Sequence, residues 1–322
     1  MKRSIFLVLC LFVMAGSSLI AGPVVPADID AKAVWYGHTD MEAIMQMPLV
    51  KEFHKSASEK QRGKSVFAQL CYKVGMQLMG EFLSATMYAT QYEGDFGVVL
   101  LKFKSDLPKE NLHAIFAQKY PKRTETSFGN RTVYSWNMRC GRKHIRLSGC
   151  FVNDRQILIG IDLHHVKRAL EVLDGKQPAM NAHNPLFKGL TPGTLFVSRA
   201  LDVPAAYQMS TFCPVLRHCR EAFARWTCLG KTVRGRYEFQ ATDSDKAELY
   251  QQAVEGMKAM FTLRFADFDK VMQLLEGFSN VQEGRALILT WEGTTDQIRE
   301  AIEQIRQKMR LIRKKRKQDN KK

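Results

Sequence analysis

Apolar and polar positions change their period along the chain, and these changes predict an alternation of strands and helices. An apolar run at Ala33–Thr39 predicts a strand, and Asp40 directly after it predicts the cap of a following helix. Two runs at Phe82–Tyr92 and Phe96–Lys104 are joined by a glycine-containing turn, which is typical of a β-hairpin. This part of the chain is therefore predicted to mix strands and helices.

The succession of strand, aspartate and helix occurs twice more. The run at Gln156–Ile161 ends at Asp162, which is placed to cap a helix with the sequence LHHVKRALEVL. The run at Thr194–Leu201 ends at Asp202, and the pattern predicts a capped helix from there to about Trp226. Short turns join the runs between 123 and 161, so those strands are predicted to form an antiparallel meander.

The last third of the chain has the same mixture. Alternating side chains predict a strand at Lys231–Ala241, and a second strand is predicted at Val281–Trp291. Two helices are predicted between them. Thr294 and Gln297 have the spacing of a capping box, and an apolar residue on every turn after them predicts a long C-terminal helix.

Together these patterns predict an α+β fold with two similar lobes, residues 33–176 and 193–305. Each lobe is predicted to be a mainly antiparallel sheet covered by helices, with the long helix at the C-terminus. The stretch between them, Lys176–Pro192, contains three prolines and one glycine without a clear period and is interpreted as the linker or seam. Residues 306–322 are predicted to be a disordered basic tail.

Residues 1–22 have the pattern of a signal peptide. Lys2 and Arg3 precede the apolar run Ser4–Met14, and small residues follow it. The apolar run is shorter than the roughly 20 residues of a membrane span. The sequence therefore predicts export to the periplasm or beyond, with an uncleaved N-terminal membrane anchor as the alternative.

Six cysteines remain after the predicted signal peptide, and an exported chain permits disulfides. Cys140 and Cys150 flank a basic turn and are predicted to bridge neighbouring strands. Cys219 and Cys228 are predicted to form a second link across a helix end. Buried free thiols are the alternative for each pair, since six cysteines allow about 15 pairings.

The formal net charge of +16 is concentrated at the C-terminus, where ten basic residues and one acid lie between 306 and 322. A cluster of this kind attracts polyanions without reading a sequence. For an exported chain we expect an anionic lipid or glycan surface as the partner, and no specific nucleic acid. The alternative is a solvated tail. The candidate polyanion-binding residues are Arg313, Lys314, Lys315, Arg316 and Lys317.

The sequence lacks the motifs of common enzyme classes, so an enzyme is not the preferred interpretation. The sequence contains no nucleophile elbow, P-loop, dinucleotide-binding glycine motif, zinc-protease motif or C-x-x-C pair. No catalytic, cofactor-binding or metal-binding residue is predicted, and the adjacent His164 and His165 point to different helix faces. Asp40 and Asp202 could act as an acid–base pair only if they converged in a cleft between the lobes. Helix capping is the preferred interpretation of both.

The export signal, the strands ending in AVWYGHTDMEAI and GVVLLKF, the run ILIGIDLHHVKRALEVLDGKQP and the later GTLFVSRALDV form an ordered set. In this respect the chain resembles a group of uncharacterised exported two-lobed bacterial proteins, and the resemblance implies no known activity. Three hypotheses follow. They are a non-catalytic binding or interaction protein of the bacterial cell envelope with an unknown ligand, peripheral association with anionic membrane or glycan surfaces through the basic tail, and an unrecognised hydrolase with carboxylates at the lobe interface.

Overall fold

The computed structural model describes residues 24–46, 78, 80–92, 97–140, 143–191, 193–204 and 218–319. The predicted signal peptide lies outside these residues. The described part of the chain has six helices and two short 3₁₀ turns, at Pro26–Asp28 and Pro185–Phe187. The helices are α1 (Met41–Met45), α2 (Lys109–Lys119), α3 (Leu163–Leu173), α4 (Ser244–Phe265), α5 (Asp269–Glu276) and α6 (Thr295–Asp319).

The strands form a single 12-stranded sheet in which all neighbours are antiparallel. Their order across the sheet is β11-β12-β10-β9-β8-β1-β2-β3-β7-β6-β5-β4. The strands are β1 (Trp35–Asp40), β2 (Phe82–Ala89), β3 (Val98–Phe103), β4 (Thr124–Phe128), β5 (Arg131–Cys140), β6 (Lys143–Asn153), β7 (Gln156–Gly160), β8 (Thr194–Ala200), β9 (Cys219–Leu229), β10 (Thr232–Ala241), β11 (Phe278–Glu283) and β12 (Ala286–Thr294).

The predicted α+β class is confirmed, and the two halves of the chain share one sheet instead of forming a sheet each. They join where β1 pairs with β8, with Trp35 opposite Ala200 and Thr39 opposite Phe196. This contact links strands far apart in sequence, so local patterns do not reveal it. The predicted hairpin β2–β3 and the meander β4–β7 are both present.

The halves also share an order of elements. The first half runs β1, β2 and β3 side by side, and β7 later returns to pair with β3 before α3 begins. The second half runs β8, β9 and β10 side by side, and β12 returns to pair with β10 before α6 begins. The first half has an additional hairpin at its outer edge, β4–β5. The helices α3 and α6 therefore follow equivalent strands.

Helices cover both faces of the sheet. Val197 lies opposite Arg225, and Cys228 is three residues further along the same strand, so Val197 and Cys228 are on opposite faces. Val197 belongs to the core under α3, which we call the first face, together with Tyr36. Cys228 belongs to the core under α5 and α6, which we call the second face. A third buried cluster lies on the second face between α4 and β12.

The predicted helix from Asp202 to Trp226 is wrong in its last part, because residues 219–229 form strand β9. Glu221, Ala222 and Ala224 have good or neutral helix propensity, and pairing with strands on both sides overrides that preference. Asp202 has a φ of 52° and is exposed. Residues 205–217 lie outside the described part of the chain.

An ion pair anchors the segment before β1. Asp30 is 1% exposed and accepts two hydrogen bonds from the Arg168 guanidinium of α3, at 2.5 and 3.2 Å. Asp30 also forms a β-bridge with Ala179 of the seam. Phe187 of the seam packs edge-on against Tyr36, with ring centres 5.1 Å apart. The seam is therefore part of the core of the first face.

Candidate binding surfaces

Two of the predicted caps are confirmed. Oδ1 of Asp40 accepts from the backbone N–H of Ala43 at 2.9 Å, and Oδ1 of Asp162 accepts from that of His165 at 2.9 Å. The capping box is also present, since Thr294 N–H donates to Gln297 Oε1 at 2.8 Å. These residues begin helices, as their spacing predicts.

The acid–base pairing of Asp40 with Asp202 is wrong. Asp40 ends β1, whereas the backbone N–H of Leu201 donates to Val34 at the other end of that strand. Six residues of antiparallel strand separate Val34 from Asp40, about 20 Å. The two carboxylates therefore lie at opposite ends of the β1–β8 pair and cannot act on one substrate atom.

The two predicted disulfides are also wrong. Cys219 and Cys228 are free, buried thiols at opposite ends of β9, about 30 Å apart along the strand. Cys150 is a free, buried thiol as well. Cys140 lies opposite Lys143, and seven residues of β6 separate Lys143 from Cys150, about 23 Å. Both pairings fail because strands extend where a turn or a helix end was predicted to bring the thiols together.

Histidines and acids do not gather into a metal site within the described ranges, where no three metal-ligating side chains are suitably placed. His165 bonds its ring Nδ1 to Asp162 at 2.8 Å, so it supports the start of α3. Burial raises the pKa of Asp162, but the hydrogen bonds from the His165 backbone and ring lower it by more, so the net shift is downward. This arrangement stabilises a helix end.

The predicted tail continues as a helix. α6 extends to Asp319, so Arg313–Lys317 lie on a helix that begins in the body of the protein. The prediction of a disordered tail from 306 is therefore wrong up to Asp319. The helix forms there because Arg and Lys are good helix formers and because α6 is already nucleated against the second face.

One contact marks where the basic end of α6 begins. Lys308 Nζ lies 2.9 Å from Asp267 Oδ2 and 4.2 Å from the centre of the Phe268 ring. Asp267 and Phe268 form the corner between α4 and α5. Nearer its N-terminus, α6 is tied to α5 by Lys270 and Glu300, at 2.9 Å. The strongly basic segment of the chain therefore starts at the C-terminal end of α4.

α4 carries an apolar stripe on its outer face. Leu249, Met260 and Leu263 are 51%, 56% and 82% exposed, and their spacing places them on one side of the helix. The opposite side is buried against the sheet through Tyr250 and Val254. We call Leu249, Met260 and Leu263 the apolar stripe. Among the described residues no helix is long and apolar enough to cross a membrane.

A second surface lies on the first face of the sheet, in the second half of the chain. Arg234, Val281 and Glu292 remain exposed there. The side chains enclose a groove with a volume of about 590 Å³, which is large enough for a small ligand. We call it the sheet groove, and its polar lining consists of Thr191, Arg225, Thr227, Arg234, Arg236, Ser279, Thr290 and Glu292.

Sequence reasoning missed both surfaces in part. A methionine at helical spacing is usually a core residue, but Met260 is exposed. The sequence signal for an exposed apolar side of α4 was a second apolar residue, Leu263, on the same side of the helix. The alternation along β10 puts Arg234 and Arg236 on the same side of the strand. Arg225 was assigned to a helix, so its position beside them was not predictable from the pattern.

No protein-family model and no curated protein matches the chain. Among solved structures, crystal forms I, III and IV of TP0453 align with the chain. They align over 87% of this chain and 97%, 98% and 97% of theirs, at 10%, 9% and 10% identity, with TM-scores of 0.44, 0.46 and 0.46. At these values no site, ligand or activity can be transferred to this chain.

Proposed function

We propose that the chain is an exported, non-catalytic binding protein of the bacterial cell envelope that attaches peripherally to an anionic membrane surface. The apolar stripe of α4 and the basic end of α6 are the contacts. The observation that carries the proposal is their adjacency, which the Lys308–Asp267 bond fixes at the α4–α5 corner.

The apolar stripe supplies the hydrophobic contribution. Leu263 and Met260 expose most of their side chains to water, and Leu249 lies on the same side farther back. Burying a side chain of this size contributes about 1.5–3 kcal/mol. Exposed apolar side chains on a surface helix can insert into the boundary between lipid headgroups and acyl chains. A glycan surface offers no comparable apolar environment, so the stripe favours lipid over glycan.

The basic end of α6 supplies the electrostatic contribution. Between 306 and 322 the chain carries ten basic residues and one acid. Each Lys or Arg near an anionic leaflet contributes about 1 kcal/mol, and this contribution falls as salt increases. The length of α6 beyond Lys308, eleven residues to Asp319, is about 16 Å. Charges on this segment start beside the stripe.

Vesicle co-sedimentation tests the proposal. The full chain should bind vesicles of phosphatidylglycerol and phosphatidylcholine, bind pure phosphatidylcholine weakly, and release with added salt. Replacing Leu263→Glu and Met260→Glu together should weaken binding by about tenfold or more, because two apolar contacts are replaced by charges that anionic lipid repels. Equal binding to both vesicle types, with no salt dependence, would contradict the proposal.

A matched control separates the stripe from general surface effects. Val281 is 52% exposed on β11, outside α4, so Val281→Glu adds the charge of one of the two stripe substitutions to an apolar position about as exposed as Met260. This variant should bind vesicles as the unmodified chain does. Heparin provides the glycan comparison: stripe variants that keep heparin affinity and lose vesicle affinity support lipid as the partner. Loss of both to the same degree would contradict a separate role for the stripe.

A further inference from the structure

The sheet groove brings two like charges directly opposite each other. Arg225 on β9 and Arg236 on β10 are cross-strand partners, and Arg234 lies two residues along on the same face. Like charges at opposed positions of an antiparallel pair are destabilising, and their Cα atoms are about 5 Å apart. Glu238 pairs with Arg236 and offsets part of this repulsion, and an anion seated between Arg225 and Arg236 would offset the rest.

Neighbouring groups orient each of the three guanidinium groups. Arg234 Nε donates to Glu292 at 2.6 Å, and Arg236 Nε donates to Glu238 at 2.5 Å. Arg225 Nη1 donates to the carbonyl of Gly189 at 2.5 Å. Each of these bonds engages one nitrogen of a group that has five N–H donors in a planar fork. Donors therefore remain on all three arginines for an oxyanion.

We infer that the sheet groove binds a small ligand with two oxyanion groups, carboxylates or phosphates. One group would lie between Arg225 and Arg236. The second would lie at Arg234, whose Cα is about 7 Å further along the strand and whose long side chain can bring the two groups closer together than that. The hydroxyls of Thr227, Ser279 and Thr290 line the same groove. Ser279 and Thr290 share a hydrogen bond at 2.6 Å, so one hydroxyl of that pair and the hydroxyl of Thr227 can donate to the ligand. Arginine suits both oxyanions because its fork binds them bidentately.

Glu292 is the one carboxylate among the lining side chains, and it pairs with Arg234. A ligand oxyanion at Arg234 competes with it. Glu292→Gln should therefore tighten ligand binding, whereas Arg225→Gln and Arg236→Gln should weaken it. This opposite response distinguishes a ligand site from a set of arginines that only serve the fold. The inference is independent of membrane attachment. The groove lies on the first face of the sheet, and α4, whose outer side carries the apolar stripe, covers the second face.

Calorimetric titration of the full chain with pyrophosphate and with citrate, in low salt, tests the inference. Saturable binding is expected, weakened about tenfold or more by Arg225→Gln or Arg236→Gln and made up to about fivefold tighter by Glu292→Gln. Binding of pyrophosphate alone supports a phosphate ligand, and binding of citrate alone supports a carboxylate ligand. Absence of saturable binding of both probes overturns the inference.

A charge-matched variant outside the groove controls for general effects of net charge on binding. Arg155 is exposed in a turn of the first half and pairs with Asp106, so Arg155→Gln changes the net charge equally outside the groove. It should leave the affinity unchanged, and an equal loss there would overturn the inference. Hydrogen exchange of the unmodified chain adds a measurement that needs no variant. Ligand should slow exchange in peptides covering 225–236 and 277–292, and protection confined to other segments would also overturn it.

Discussion

Lys308 Nζ of α6 lies 2.9 Å from Asp267 Oδ2, and the same ammonium is 4.2 Å from the ring centre of Phe268. One side chain thereby fixes the C-terminal helix to the corner where α4 ends and α5 begins. This contact therefore holds the basic segment of the chain close to the same corner as Leu263, the most exposed apolar side chain of α4.

Lys308→Ala should loosen the end of α6 without unfolding the protein. An exposed ion pair contributes at most about 1 kcal/mol and a cation–π contact about 0.5–1 kcal/mol, so the free energy of unfolding should fall only slightly. Amide exchange in peptides after residue 300 should become faster. Lys231→Ala is the control, because Lys231 pairs with Asp296 at the other end of α6. Equal effects of the two changes would contradict a specific anchor at the corner.

Arg168→Met should destabilise the protein strongly. It leaves the carboxylate of Asp30, which is 1% exposed, without its guanidinium partner. Breaking a buried ion pair on one side costs about 3–5 kcal/mol, measured as the free energy of unfolding in urea. Arg131→Met is the comparison, since its partner Asp174 is more exposed. If the two variants lose the same stability, burial of Asp30 is not the cause.

Asp162→Ala should remove a helix cap and cost about 1 kcal/mol at neutral pH. Burial raises the pKa of Asp162, but the hydrogen bonds from His165 lower it more, so the folded pKa lies below the unfolded value. The stabilisation is therefore complete above about pH 4 and is lost as the pH falls through the folded pKa. Urea unfolding at several pH values should show the variant and the unmodified chain converging in acid.

The control for the cap is Asp106→Ala, which removes an exposed surface ion pair with Arg155. Its effect on unfolding should stay within about 0.5 kcal/mol at neutral pH. A difference between Asp162→Ala and the unmodified chain that persists unchanged below pH 3 would show that the carboxylate's charge is not involved.

Cys150, Cys219 and Cys228 should react slowly with iodoacetamide in the folded protein. Burial raises the pKa of Cys150 to about 11 and that of Cys219 to about 12, and it also raises the pKa of Cys228. The thiolate is the reactive form, so little of it exists at neutral pH. Peptide mass spectrometry should find these three cysteines unmodified until urea is added. Detection of a disulfide-linked peptide joining 219 and 228 would contradict the fold of β9.

The sequence allowed prediction of features that depend on local chemistry. Asp40 and Asp162 were correctly interpreted as caps, because a carboxylate before an apolar helical period satisfies free N–H groups wherever the helix packs. The hairpin β2–β3 and the meander were predictable because short turns allow only antiparallel neighbours. Side-chain alternation placed Arg234 and Arg236 together.

Features that depend on distant parts of the chain were not predictable. The β1–β8 pairing, which makes one sheet of two halves, follows from packing between segments about 160 residues apart. The stretch CREAFARWTCL favours a helix by its local composition and becomes β9 because strands lie on both sides. The position of Arg225 in the sheet groove was therefore not predictable from the sequence. The exposure of Met260 likewise depends on which side of α4 meets the sheet.

Photocrosslinking at residue 263 tests the central claim most directly. A benzophenone amino acid replacing Leu263 should form covalent lipid adducts when the protein is bound to phosphatidylglycerol-containing vesicles and irradiated. The same amino acid replacing Val281 should form almost none, since Val281 lies on the first face of the sheet and α4 covers the second. Adducts at 263 but not at 281, lost when salt releases the protein, are the predicted result. Equal adducts at both positions, or none at 263 on vesicle-bound protein, would contradict attachment through α4.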